Sequence, residues 1–463
     1  MMKWLRQTVF ALCFQLASAS AVFAQASTQP ILPPSSYDAY SIFFHRESGS
    51  FFGGGIGISV FGNQVFYTIS LAPELALGNW GVGLDVNLRI SQQGQLRRED
   101  WEDGVSSYLR LVRYVRYGVK RDSLYFRIGQ LDAARLGHGT ILFLYRNNAS
   151  YDARRIGVEW DMDFGNYGFE SMVSDVSTFN VIGVRPFWRP LRELGLPLLS
   201  GLELGATVVG DVNENANVQL EDTTYLSGRT ERIAARSGAL IALGMDASLP
   251  LARLPLLNAD AYLDAAGIIG YGAGLALGVS GSLKNLLGLV VLSAKLEQRF
   301  LTDRFQFAYF DALYEQERYR EQGERIISRA NQLRNTVSGG AGIYGELGGA
   351  ILGKFQFFGS YQRLYRTPRG GILQLSARLE DLIPAIVLRA DYFKRDIGAE
   401  TDLFTLNERS LAQVEFGYSP YPYLLLSLVY QWTFLPVRSS NNAIVRYEPV
   451  QRIEPRVLLR LQF

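Results

Sequence analysis

One cysteine and two histidines are all that this 463-residue chain offers of the side chains that most often bind metals or serve as nucleophile and base. Cys13 lies in a stretch with the pattern of an export signal. Lys3 and Arg6 give a short positive region, residues 9–16 an apolar core, and Val22-Phe23-Ala24 a site that a signal peptidase reads. Cleavage is expected after Ala24, with Ala26 as the alternative. The core is too short to span a membrane as a helix, which takes about 20 apolar residues. Lipid attachment at Cys13 is disfavoured, because Leu12 stands where a small residue is needed. Cleavage leaves no thiol, and with it no disulfide or thiolate chemistry. It also removes Lys3 and Arg6, which takes the formal charge from +2 to zero. A neutral chain has no basic footprint for nucleic acid.

The scarcity of bases argues against an enzyme. His45 precedes the first expected strand, and His138 sits in Gly137-His138-Gly139 with no serine at a recognisable motif spacing. Asp161 and Asp163 share a strand face, where paired acids can do acid–base work. Wall charges balanced by arginine are the simpler reading of that pair. Asp211, Asn213 and Glu214 could hold a loop cation, but an ordinary polar loop accounts for them. No catalytic residue, metal site or cofactor is therefore expected.

Long apolar runs are also missing, with one exception. Residues 265–283 carry no charge and are long enough to span as a helix, and Gly270, Gly274 and Gly278 have the spacing of helix-dimer motifs. Glycine is costly inside a helix. The run divides instead at Gly270-Tyr271-Gly272 into two strand-length halves.

What is abundant is glycine (46), tyrosine (25) and phenylalanine (27), with hydrophobic residues at 48% spread thinly along the chain. This composition suits strands that are apolar on one face only. Period-two alternation recurs. In 81–90, Val82, Leu84, Val86, Leu88 and Ile90 oppose Asp85, Asn87 and Arg89. In 154–164, Ile156, Val158, Trp160, Met162 and Phe164 oppose Arg155, Glu159, Asp161 and Asp163. In 289–300, Val290, Leu292, Ala294 and Leu296 oppose Lys295, Glu297 and Arg299. No helical layer is available to cover the apolar faces, so lipid is their simplest cover.

Connections alternate in length. Short ones fall at 78–79, 118–122, 165–166, 353–354 and 419–422. Long polar ones fall at 92–106, 133–152, 211–237, 395–409 and 436–449. Segment 305–315 looks like a strand, but counting it would put the charged stretch 316–335 on the short-turn side. Residues 301–337 are therefore read as one large excursion. The expected fold is all-β: a transmembrane antiparallel β-barrel of about 20 strands (18–22), with short periplasmic turns and long extracellular loops. The division is 1–24 signal peptide, 25–50 periplasmic N-terminal segment and 51–463 barrel. Trp80, Trp188, Trp432, Tyr421 and Tyr423 fall near strand ends, as interfacial girdles require.

The final segment alternates Ile453, Pro455, Val457, Leu459, Leu461 and Phe463 against Glu454, Arg456, Leu458, Arg460 and Gln462. It resembles the last strand of Gram-negative outer-membrane proteins. That resemblance implies that Val457, Leu459, Leu461 and Phe463 are read by the barrel-assembly machinery. The texture of 124–148 (LYFRIGQLDAARLGHGTILFLYRNN) and 154–170 (RRIGVEWDMDFGNYGFE) is similar to a group of uncharacterised outer-membrane β-barrels, which implies no particular activity.

A plug domain of the TonB-dependent kind needs over a hundred residues before the barrel, and only 25–49 stand there. The candidate pore-lining residues are Asp85, Arg89, Arg110, Arg116, Arg127, Arg155, Glu159, Asp161, Lys295, Glu297, Arg299, Arg389 and Asp391, with Arg456 and Arg460 on the same pattern. Two loops are too apolar to stand in water: 133–152, with His138, Ile141, Leu142, Phe143, Leu144 and Tyr145, and 305–314, with Phe307, Tyr309 and Phe310. Bare apolar surface is costly, so one or both are expected to fold into the lumen. The expected function is a porin-like channel for small solutes. The alternatives are a non-conducting barrel that anchors or exports a surface partner, and an apolar-ligand transporter with a lateral opening. Expected surroundings are outer-membrane lipid and lipopolysaccharide, reached by Sec export.

Overall fold

The computed structural model describes residues 38–44, 50–61, 64–101, 108, 111–120, 122–148, 155–196, 198–213, 216, 238–286, 288–322, 325–334, 336, 339–380, 382–438 and 444–462. The strands are β1 (Phe51–Phe61), β2 (Gln64–Leu71), β3 (Glu74–Leu77), β4 (Trp80–Leu84), β5 (Val86–Ser91), β6 (Val112–Tyr117), β7 (Leu124–Gly129) and β8 (Gly157–Asp163). Next come β9 (Tyr167–Val173), β10 (Val181–Trp188), β11 (Glu203–Asp211), β12 (Leu240–Arg253), β13 (Leu257–Ile268), β14 (Ala273–Leu286), β15 (Val290–Leu301), β16 (Tyr319–Gln322) and β17 (Arg325–Ser328). The last are β18 (Gly340–Ile351), β19 (Phe355–Leu364), β20 (Gly371–Glu380), β21 (Ile386–Ile397), β22 (Ser410–Tyr421), β23 (Leu424–Arg438) and β24 (Ile444–Gln462).

β16 and β17 form a separate hairpin, and the other 22 strands form one antiparallel sheet. Two of its staves are interrupted. β2 and β3 are one stave broken at Ala72-Pro73, and β4 and β5 are another broken at Asp85, since β2 pairs with β5 and β3 with β4. Counting each broken stave once turns 22 strands into 20 staves. β24 pairs with β1 from Phe52↔Leu461 to Phe61↔Arg452, and β1 also pairs with β2. The ladder therefore returns to its start, and the molecule is a β-barrel.

The pleat separates two chemistries. On the outer face Ile56, Trp160, Leu243, Met245, Leu277, Leu296, Leu347, Leu428 and Leu459 are exposed, Met245 at 70%. On the inner face of the same strands Glu159, Asp161, Asp246, Glu297, Arg299, Glu346, Arg452 and Glu454 are buried. This reverses the arrangement of a water-soluble sheet and is the arrangement of an outer-membrane-type barrel.

Short connections gather at one rim, and 92–111, 130–156, 212–239, 302–339 and 398–409 at the other. The uncharged run 265–283 is split between β13 and β14 around Gly270. No helix among the described residues is long and apolar enough to cross a membrane. One expected loop is corrected. Most of 436–449 is strand, because β23 and β24 stay paired through Leu435↔Glu448 and Val437↔Arg446. The turn expected at 419–422 also shortens, since β22 runs through Tyr421 and β23 resumes at Leu424.

Candidate functional site: an occluded lumen

Three pieces of chain lie against the inner wall. The first is a short helix, Ala39–Phe44, whose residues Ala39 to Phe43 are buried. Asp38 caps it, accepting from the Ser41 amide at 2.7 Å, as helix N-termini favour. Arg135 binds the other oxygen of Asp38 at 2.6 Å and stacks over the Tyr40 ring. At the far end Arg378 lies over the Phe43 ring and points at the Phe43 carbonyl, where a cation suits the helix C-terminus. Phe43 and Phe44 pack with Phe358 of β19. The helix fits because β18 has glycine at 348. A Cβ there would meet Ala39 Cβ at 2.9 Å and its carbonyl oxygen at 3.0 Å. Of the segment 25–50, then, the described helix sits inside the barrel wall.

The second piece is the 130–148 stretch. Asn147 holds its two ends together. Its side chain accepts from the Leu131 amide and donates toward the carbonyls of Gly129, Arg155 and Ser174. Between those ends Gly137 donates to Glu170, and Thr140 to Asp264 at 2.6 Å. Lys295 donates to the His138 carbonyl at 2.9 Å. The His138 ring stacks flat on Tyr262, 3.9 Å between centroids. Tyr262 can lie across the sheet because its register partner is Gly278, where a Cβ would stand 2.1 Å from the ring.

The third piece is the 303–318 strap. It runs alongside the second, with a parallel bridge Leu142↔Phe310 and backbone bonds from Phe310 to Ile141 and from Phe143 to Phe310. Leu142, Tyr145, Phe305, Phe307, Tyr309, Phe310 and Tyr314 form an apolar cluster between the two loops and the wall. At one end Tyr314 and Arg318 bind Asp211 of β11, both at 2.7 Å. At the other Ala312 and Leu313 pack on Phe393 of β21 and Phe434 of β23. β11 is the ninth stave and β23 the nineteenth of twenty, so the strap reaches opposite walls.

Buried ion pairs fix the strap. Asp311 accepts from Arg329 at 3.0 Å and from Arg395 at 3.2 Å. Glu317 accepts from Arg395 at 2.7 Å. Glu315 accepts from Arg318 at 2.8 Å, from Arg155 and from the Tyr145 hydroxyl. Burial would raise the Glu315 carboxyl, but Arg318 and Arg155 outweigh it and hold the group at about 2. Asp311 is likewise buried yet held below the usual carboxylate range by Arg329 and Arg395. Burial and the Glu315 charge push the Tyr145 phenol up, so it stays a donor.

The expected pore-lining residues fall mostly into paired clusters on the inner wall. Lys120 lies 3.0 Å from Asp161 and 3.4 Å from Glu159, to which Tyr125 also donates. Lys295 bridges Glu297 at 3.0 Å and Glu346 at 3.1 Å, and Arg299 binds Glu297 at 2.6 Å. Arg299 also lies under the Phe307 ring of the strap. Arg389 joins Glu380 and Glu415, and Asp391 accepts from Ser376. Arg89 is fully buried beside Asp100 and Glu454, and Arg456 donates to Glu454. Arg116 caps the Gly118 carbonyl, Arg127 reaches Asp132 and Gln130, and Asp85 accepts from Asn87. Arg155 stands ahead of β8 and serves the strap. Phe143 packs with Tyr40 and Phe358, between helix and wall. Val457, Leu459 and Leu461 face outward. Arg110, Phe463 and the Arg460 side chain lie outside the described residues.

Sequence reasoning missed three features: the helix at 39–44, the strap's anchors Asp211, Arg329 and Arg395, and the quartet of Arg185 with Asp246, Glu203 and Glu170. The helix had one legible sign, Asp38 three residues ahead of Ser41 before an apolar run. No group of residues that could hold a metal ion occurs among the described residues.

No known protein family and no curated protein matches the chain. Among solved structures it is similar to OccK2 (OpdF) of Pseudomonas aeruginosa, solved in complex with glucuronate. Identity there is 13%, over 90% of this chain and 98% of that one, at a TM-score of 0.32. It is similar also to the ferric enterobactin receptor PfeA of Pseudomonas aeruginosa (10%, 90% and 81%, 0.34) and to CdiB from Acinetobacter baumannii (9%, 90% and 60%, 0.26). Likenesses at this level carry no argument, and the fold stands on its own strand pairing.

Proposed function

We propose that the protein is an outer-membrane channel for small solutes, reached by Sec export, whose resting lumen is restricted by the 130–148 and 303–318 loops and by the helix at 39–44. The observation that supports this most is the strap bound to opposite walls of a barrel with a polar, charged inner face. A polar lumen suits a water-filled path, whereas a barrel that serves only as an anchor needs no such lining. The short-turn rim, with the 39–44 helix and the last strand, faces the periplasm, and the long loops face outward. Lipid and lipopolysaccharide surround the outer face, and the assembly machinery reads the last strand. The barrel itself supplies no base or nucleophile constellation, so transport without chemistry is the reading. Planar-bilayer recording tests it. The intact protein gives rare or small conductance steps, and deletion of residues 303–338 gives large, frequent ones. A deletion variant that inserts and stays silent would favour the non-conducting alternative, a barrel that anchors or exports a surface partner.

A further inference from the structure

The short-turn rim is not uniform. At β3–β4, β8–β9 and β22–β23 it carries aromatic pairs: Trp80 with Tyr117, Phe164 with Tyr167, and Tyr421 stacked on Tyr423. From β10 to β15 it carries leucine instead. Residues 189–202, between β10 and β11, are far longer than the other connections of this rim. They expose Leu194 (62%), Leu196, Leu198 and Leu199. Beside them Leu251, Leu254 (57%) and Leu256 are exposed at the β12–β13 turn, and Leu286 and Leu289 at the β14–β15 turn. The first two groups touch, since a Cβ on Gly201 would meet Pro250 at 2.5 Å.

The polar residues of 189–202 are turned the other way. Arg189 binds Asp163 and Glu203, both at 2.9 Å. Arg192 donates to the Gly165 carbonyl, and Glu193 accepts from Asn166. The segment is thus amphipathic across its width: charges tied to the neighbouring turn, leucines free. Leu198 even adopts a left-handed backbone, φ 64°, which costs a leucine energy and needs the surroundings to hold it. The leucines continue the outer belt without a break. Trp188 (55%) and Leu204, register partners at the ends of β10 and β11, are exposed on the lipid-facing side.

We propose that residues 189–202, with the 254–256 turn, form an interfacial foot that is immersed in the leaflet on the short-turn side and binds lipid acyl chains. Continuity with the apolar belt selects lipid as the occupant, because the same surface in water would be a large exposed patch. The foot anchors one sector of the barrel more deeply than the aromatic sector opposite.

The test uses the full-length protein in phosphatidylcholine vesicles, with an environment-sensitive fluorophore on Leu198→Cys. Gln93→Cys on a long loop and Leu263→Cys on the outer belt serve as aqueous and lipid references. The 198 probe is expected to be quenched by nitroxide-labelled acyl chains within twofold of the 263 probe, and to resist aqueous iodide. Iodide quenching equal to that of the 93 probe, with no acyl-chain quenching, overturns the proposal and makes the patch a surface for a water-soluble partner. Leu254→Cys repeats the reading should the 198 variant fail to insert.

Discussion

Removing one carboxylate should unlatch the strap. Asp311 takes charge-assisted bonds from Arg329 at 3.0 and 3.1 Å and from Arg395 at 3.2 Å, with all three side chains buried. Breaking a buried ion pair by deleting one partner costs about 3–5 kcal/mol, because the surviving charge is left uncompensated. Here compensation is partial. Glu317 remains 2.7 Å from Arg395 and 3.7 Å from Arg329, which brings the expected loss for Asp311→Ala to about 2–3 kcal/mol. The barrel wall keeps all its strand pairing, so the loss falls on the closed position of the strap. Each 1.4 kcal/mol is tenfold in an equilibrium, so the open fraction should rise about 30- to 150-fold. Single-channel recording reads this as open probability, with limited trypsin cleavage within 303–334 as a second measure. Asp311→Asn, which keeps an acceptor but loses the charge, should fall between. An unchanged open probability together with unchanged cleavage would falsify the latch.

The closed state should also depend on acid. Glu315 is held at about 2, against 4.5 in an unfolded chain. Its contribution is therefore complete above about pH 4.5 and is lost as pH falls toward 2. Openings should be as rare at pH 5 as at pH 7 and multiply below pH 4.5, and Glu315→Gln should flatten that profile; openings that multiply between pH 7 and 6 would rule out this carboxylate as the latch. Gly348→Val should expel the helix at 39–44 from its seat on β18, made visible as rapid thiol labelling of Ser41→Cys, which is protected when glycine is present. Asn147→Ala should free the 130–148 loop, at about 1–3 kcal/mol for the stranded backbone groups. Protease access within 130–156 reports it, and a cleavage pattern identical to the unaltered protein counts against the pin. Arg185→Ala should lower the heat-modification midpoint of the barrel on gels by leaving Asp246, Glu203 and Glu170 facing one another. No shift there would mean that the quartet contributes nothing to the wall.

Twenty staves were legible because the membrane makes the two faces of each strand chemically opposite. In β15, Leu296 had to face out and Glu297 in, and period two is readable from one strand alone. The strap was legible in part for the same kind of reason. Phe305, Phe307, Tyr309 and Phe310 need cover, and as an extra wall strand they would have put 316–335 on the short-turn side. Its anchors were not legible. Glu315 meets Tyr145 across 170 positions, and Tyr314 meets Asp211 across 103, with nothing local marking either pair. The β23–β24 hairpin was misread for a different reason. Pro436, Asn441, Asn442 and Pro449 have the composition of a loop, yet a two-stranded hairpin needs only backbone pairing to continue past the apolar belt.

The inward charges show where alternation stops being informative. Alternation assigns Glu159, Glu297 and Arg389 to the lumen side but does not say whether each meets water or a counter-ion. That depends on register and on which loops return. Arg185 on β10 reaches Asp246 on β12 across the intervening strand because Gly205 of β11 leaves the space: a Cβ there would stand 2.4 Å from Asp246 and 2.5 Å from Arg185. A charge that has found such a partner contributes little field to a passing solute. The groups that govern passage are therefore those whose partners move when the strap moves. Arg155 and Arg395 qualify, because each reaches a strap carboxylate from the wall side. Opening the strap would turn both guanidiniums toward the lumen at once, so the open channel should prefer anions. A reversal potential that favours cations in the Asp311→Ala channel would contradict that step.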